Sequence, residues 1–234
     1  MASAPRVGQG WGGLGLSAGQ DGPVTSLKLC GGTLPIDEAE PLLLRYLDPA
    51  GGYAWPSYDT LVTNGSVELV GSDLVAPVLL GAHIDVPRYR LLFDLLPELA
   101  AVATLPPVGL QDATDDDIDA VAALFAVVDR EAYRRKGVKG TILSKVLHRK
   151  RPDLVPLYDS RIYAAYTAEG AIHRDAHREW REFMAILLRH MRADLQAEAA
   201  ALAELRDVAR RERGAELTPL RILDVLVWMS LDDV

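Results

Sequence analysis

"DAHREWREFMAILLRHMRADLQAEAAALAELRDVARRER", residues 175 to 213, carries Met184, Leu188, Met191, Leu195, Leu202, Leu205 and Ala209 at spacings of three, four and seven on a charged background. That periodicity predicts one long amphipathic helix or a helix pair, with an apolar seam that must pack against the body of the protein or against a partner. On its C-terminal side, Thr218-Pro219 supplies an N-cap and a first-turn proline for the apolar run "LRILDVLVWMSL", a core helix by composition. Upstream, "DATDDDIDAVAALFAVVDREAY" opens with acids suited to the positive end of a helix and continues with an apolar stripe through Ile118, Val121, Leu124, Phe125 and Val128. "VPRYRLLFDLLPELAAVATL" reads as a helix interrupted near Pro97, "GSDLVAPVLLGAHI" as a buried segment entered through an Asp73 cap, and "LPIDEAEPLLLRYLD" as a short amphipathic helix. Only "LVTNGSVELV", with Asn64-Gly65 between two β-prone runs, reads as a hairpin. The fold class is therefore mainly α: a helical domain with one small β-hairpin.

At 234 residues, 49% of them hydrophobic, the chain can bury one substantial core. Residues 1–23, rich in glycine, read as a flexible tail, and 24–234 as a single mainly helical domain that could divide into lobes 24–131 and 132–234. Gly8, Gly10 and Gly13 satisfy a dinucleotide spacing but lack the flanking strand and helix that such a site needs. The single cysteine, Cys30, excludes an internal disulfide and any multi-thiolate metal centre. With no signal-like or membrane-spanning run, a soluble cytoplasmic protein without membrane contact is expected. Arginine outnumbers lysine 20 to 5, a bias of GC-rich genomes.

The net charge of −8 hides an uneven distribution. Between Ala132 and Pro152 lie Arg134, Arg135, Lys136, Lys139, Lys145, Arg149, Lys150 and Arg151, with no acid among them. This basic segment favours an anionic ligand, unless the Asp112–Asp119 cluster or the long helix neutralises it. Gly137 and Gly140 flank Val138-Lys139 in a tight turn whose amides could accept a phosphate or sulfate oxygen, with Lys139, Lys145 and Arg149 as companions. Asp159, within "PLYDSRI", stands where a carboxylate caps the next helix or serves as a catalytic acid.

The order of glycine turn, helix, proline-containing loop and "PLYDSRI" resembles the helix-hairpin-helix DNA glycosylases of the endonuclease-III type. The resemblance covers about 27 residues and implies a helix-hairpin-helix-like element, Asp159 as the catalytic acid and the Gly137–Gly140 turn as a phosphate holder. Lys139 stands where that family's hairpin has glycine, and Thr141, Ile142 and Leu143 stand where its lyase members carry lysine, Lys145 following further on. Together, "YAWPSYDTLV", "SDLVAPVLLGAHI" and the 136–162 segment resemble an uncharacterised actinobacterial family, which implies a fold and an origin but no activity.

Other candidates are fewer. His83 precedes Ile84-Asp85 and could act as a general base; Tyr53, Trp55, Tyr58 and Asp59 form an aromatic and acidic cluster that could line a pocket. His173 and His177, with Glu169 or Asp175, have the i, i+4 spacing of a metal pair, but charged neighbours favour an exposed face, and no metal is expected. The leading expectation is a cofactor-independent enzyme, with Asp159, His83 and Tyr58 as catalytic candidates. It would act on a small anionic molecule by elimination, isomerisation, hydrolysis or internal displacement, in bacterial specialised metabolism. The alternatives are a DNA-binding or base-excision protein and a non-catalytic subunit that meets a protein partner through helix 175–213.

Overall fold

The computed structural model describes residues 26–61, 67–135, 137–168, 172–175 and 177–230. The fold is mainly α, with a small antiparallel hairpin formed by β1 (Ser26–Leu29) and β2 (Gly32–Pro35). Its turn residues Cys30 and Gly31 both have left-handed φ, 58° and 85°. Positive φ at both positions gives the turn twist that suits a two-residue hairpin. The backbone of the hairpin is held from outside: Cys30 N–H donates to Asp194 Oδ2 at 3.1 Å, and Lys28 N–H donates to Glu198 Oε1 at 3.0 Å. Burial pushes the Cys30 thiol up to about 12, so it is a core group rather than a nucleophile. The hairpin is thus not the one expected at Asn64-Gly65; that turn and the 1–23 tail lie outside the described residues, and Val67–Val70 forms no strand.

The helices follow the apolar pattern. They are α1 (Ile36–Tyr46), α2 (Val86–Asp94), α3 (Leu96–Leu99), α4 (Asp115–Ala123), α5 (Glu131–Arg135), α6 (Gly140–His148), α7 (Ser160–Ala168), α8 (Trp180–Ala197), α9 (Ala199–Arg213) and α10 (Pro219–Met229). Between them run 3₁₀ segments at Gly71–Leu80, Ala100–Thr104, Leu110–Asp112 and Leu124–Asp129, and a π-helical turn at Trp55–Asp59. Thr114 caps α4, accepting from Asp117 N–H while Asp117 reaches back to Thr114 N–H, and Thr218 caps α10 by accepting from Arg221 N–H. Each such cap is worth about 1 kcal/mol.

The 175–213 seam is a helix pair that breaks at Glu198, and all seven of its apolar residues are buried within the chain. α8 packs on α4 and the neighbouring 3₁₀ turns, while α9 packs on α1 and α10. The expected partner-binding seam is thus covered by the chain's own helices. α10 is the central helix, buried along almost its whole length against α1, α7, α8 and α9. The main apolar core runs continuously from Leu27 to Met229.

The part of the basic segment from Lys145 to Arg151 is turned inward, while Lys139 is exposed. Lys145 donates to the Leu80 carbonyl, Arg149 to the carbonyls of Tyr58 and Leu61, and Arg151 to those of Ala103 and Leu105. Lys150 forms an ion pair of 2.8 Å with Asp73, both side chains at most 5% exposed. The acceptors lie at or beside the ends of 3₁₀ and π-helical segments, where carbonyls that no longer continue the helical ladder can take side-chain donors; Tyr58 O accepts both Leu61 N–H and Arg149. Lys145, Arg149 and Arg151 thus act as donors to the main chain, and Lys150 as the counter-ion of a buried acid. The acids of 112–119 pair elsewhere: Asp115 with Arg192 at 2.7 Å and Asp119 with Arg189 at 2.8 Å, both arginines on α8.

Candidate functional site

Arg221 enters the core one turn into α10 and organises the polar centre of the fold. Its Nε donates to Asp59 Oδ1 at 2.7 Å and its Nη2 to Asp59 Oδ2 at 3.0 Å; Nη1 meets Asp224 Oδ2, and Nη2 also meets the Tyr46 hydroxyl. Tyr46 in turn donates to Asp59 Oδ2 at 2.8 Å. Two carboxylates therefore share one guanidinium. Burial works to raise Asp59, yet the Arg221 charge, its paired hydrogen bonds and the Tyr46 hydroxyl hold it below the usual carboxylate range. Among the described residues Asp224 has the single Arg221 bond, and burial, with Asp159 and Asp59 nearby, pushes it up to about 7. The network thus separates one firmly ionised acid from one that titrates near neutrality.

Above this network lies a cavity of about 350 Å³, lined by Tyr53, Leu80, Lys145, Asp159, Asp224 and Trp228, among others. Lys145 comes from the buried α6, and its ammonium donates to Leu80 O at 3.0 Å. Among the described residues no carboxylate lies within ion-pair distance of it, so further N–H donors remain for a ligand. Burial lowers its proton affinity, while Asp159 and Asp224 counteract that from a distance.

Asp159 is the N-cap of α7. Its Oδ1 accepts from Arg161 N–H at 2.9 Å and Ile162 N–H at 3.1 Å, and its Oδ2 accepts from Trp228 Nε1 at 3.0 Å. Arg161 lies over the Trp228 ring, 4.1 Å from its centroid. These bonds fix the carboxylate at the cavity wall, so capping and facing a ligand are combined in one side chain.

The remaining candidates fall elsewhere. Tyr58 is fully buried and donates to Lys145 O at 2.8 Å, with Arg149 over its ring and His148 stacked on it. His148 Nδ1 lies 2.6 Å from Val155 O, and burial lowers its pKa to about 4. Tyr58, His148 and Arg149 line a separate space of about 120 Å³ on the other side of the Arg221–Asp59 pair. His83 is exposed and does not line the cavity. Gly137 (φ 75°) and Gly140 are also absent from its walls; Gly137 sits against the Arg88 guanidinium, and a Cβ at Gly140 would overlap the Trp180 ring. Gly140 is there for close packing. Lys139 is exposed, so the five expected anion-binding residues do not converge, and Lys145 alone among them faces the cavity. His173 and His177 lie outside any helix, and no cluster of three or more potential metal ligands occurs among the described residues.

Arg221, Asp224 and Trp228 escaped the sequence reading. The available signal was an Arg and an Asp three residues apart inside an otherwise apolar helix, a pattern that demands buried partners. No curated protein and no solved structure matches this chain. The whole constellation from Tyr46 to Trp228 falls within residues 39–231, the stretch that matches the model of a family of unknown function (DUF6308), and the chain belongs to that family.

Proposed function

We propose that the protein is a cofactor-independent enzyme that binds a small anionic substrate in the Lys145–Asp159–Asp224 cavity and acts on it by proton transfer. The observation that carries this reading is the Lys145 ammonium, which reaches the cavity wall with one hydrogen bond to a carbonyl and no ion-pair partner among the described residues. Arg221 and Asp59 neutralise each other, so an anion entering beside Lys145 adds negative charge close to Asp224. That charge raises the proton affinity of Asp224 further, and the complex holds it as a neutral acid at pH 7. A protonated carboxyl beside a bound anion is the arrangement that general-acid assistance requires, for elimination, isomerisation or hydrolysis. Tyr53, Leu80 and Trp228 supply an apolar and aromatic wall for the body of the substrate.

One observation favours base excision as a second reading: Lys145 and Asp159 line the same cavity, although Lys145 lies a helical turn beyond the glycine turn. Against it, Arg149, Lys150 and Arg151 bind groups inside the protein, and the glycine turn does not border the cavity. The test is thermal-shift and calorimetric titration with inorganic sulfate, phosphate and a panel of small carboxylates, with an abasic-site duplex as a further arm. A ligand at 100 times its Kd should add about 2.7 kcal/mol of stability. Lys145→Met, which keeps the apolar stem, should abolish that gain. Equal stabilisation in the variant refutes the reading, and duplex binding without anion binding transfers the site to the second one.

A further inference from the structure

Every large hydrophobic residue that is exposed among the described residues falls between positions 61 and 93. In the 3₁₀ segment Gly71–Leu80, the exposed positions Ser72, Val75 and Val78 recur every three residues. Side chains three apart eclipse in a 3₁₀ helix, so Val75 and Val78, 46% and 50% exposed, form one apolar ridge. On α2, Val86 and Phe93, 65% and 51% exposed, lie on one face with Arg90 and Asp94 between and beside them. The two elements are joined, since α2 packs on the 3₁₀ segment and Phe93 and Tyr89 sit against Gly71. The exposed apolar residues thus cluster on two adjoining elements rather than being scattered over the molecule.

Two charges on this surface, Arg90 and Asp94, are unmatched among the described residues. Arg90 and Asp94 are exposed and neither makes an ion pair among the described residues, whereas Arg130, Arg189, Arg192 and Arg210 each pair with a carboxylate. With the arginine N-terminal to the aspartate, the i, i+4 pair has the less favourable order for closing along its own helix.

We infer that this surface is the interface of a homodimer, in which two copies meet through α2 and the Gly71–Leu80 segment about a two-fold axis. An isologous contact must be self-complementary, and this one is: ridge meets ridge, and antiparallel α2 helices place Arg90 of each copy opposite Asp94 of the other. The exposed Asp94 and the net charge of −8 make an anionic surface the poorer occupant. Leu79, next to Val78 and 39% exposed, also lines the 350 Å³ cavity, so the proposed interface adjoins the site.

The test is sedimentation velocity on the full chain from about 1 to 100 μM, with circular dichroism to verify folding of each variant. The wild type should be a dimer and Phe93→Glu a folded monomer. Arg90→Asp and Asp94→Arg should each weaken association at least about tenfold by facing like charges across the axis twice. The double variant R90D/D94R should regain it, because the swap recreates both pairs. A wild type that stays monomeric at every concentration overturns the inference. So does a dimer that survives both Phe93→Glu and Val78→Asp, or a double swap that recovers nothing. A monomer that floats with phosphatidylcholine vesicles would assign the surface to a membrane instead.

Discussion

Acidification should unlock the protein through one side chain, His148. The imidazole is buried, stacks on Tyr58 with centroids 6.1 Å apart, and holds Val155 O at 2.6 Å through Nδ1. A carbonyl can only accept, so Nδ1 carries the proton of the neutral ring. Burial, reinforced by the Arg221 charge, lowers its pKa from 6.5 to about 4. Because the folded value lies below the unfolded one, the unfolded chain takes up the proton first. The stability contribution is complete above pH 6.5, declines as the pH falls, and levels out below about 4. The gap of about 2.5 pH units, at 1.36 kcal/mol per unit, amounts to about 3 kcal/mol. The perturbation is His148→Asn, whose side-chain amide keeps a donor near the Nδ1 position and never becomes charged. Urea denaturation of both proteins from pH 8 to 4 gives their stability difference, in which the titration of every other group cancels to first order. That difference should shrink by about 3 kcal/mol in favour of the variant between pH 7 and 4. A difference that is flat across this range refutes the assignment of a buried neutral imidazole.

Three further perturbations address the polar centre and its frame. Arg221→Met leaves Asp59 and Asp224 buried without their shared cation and should cost about 3–5 kcal/mol, read as a lower melting temperature, with partial recovery when Asp59→Asn is added. For Asp224 the sign is opposite to that of His148: its folded pKa, about 7, lies above the ordinary value of 3.8, so its contribution is complete below pH 3.8 and lost as the pH rises through 7. Asp224→Asn should therefore gain on the wild type with rising pH, and anion affinity in the wild type should fall above pH 7 but stay level in the variant, as calorimetry can read. Gly140→Ala pushes a methyl group into Trp180 and should cost about 1–3 kcal/mol, reduced in combination with Trp180→Leu; an unchanged melting temperature would show that Gly140 is not there for packing.

Position on α6 explains why anion-binding candidates that look equivalent in sequence separate in the fold. Lys139 precedes the helix and meets solvent, while Lys145 and Arg149, four residues apart, leave one face of a buried helix a turn apart along its axis, Arg149 at its C-cap. Lys145 reaches Leu80 and the cavity, and Arg149 reaches the carbonyls of Tyr58 and Leu61. Charge content was readable from residue types, but the acceptors were not. They are exposed to side-chain donors where 3₁₀ and π-helical segments end, a property of backbone geometry that composition does not reveal.

What the sequence determined by itself is everything governed by neighbours a few residues apart. The helices α1, α4 and α10, the Thr218-Pro219 start and the Asp159 cap follow from periodicity and capping, forces that act within one or two turns. Tertiary structure decided what depends on distant partners. The hairpin is Ser26–Pro35 because Asp194 and Glu198, more than 160 residues away in the chain, receive its amides. The cavity exists because α10 brings Arg221 to Asp59 across 162 positions and Trp228 to Asp159 across 69. A buried charge has no local pattern that names its counter-ion; only the packing that removes both from water selects the pair.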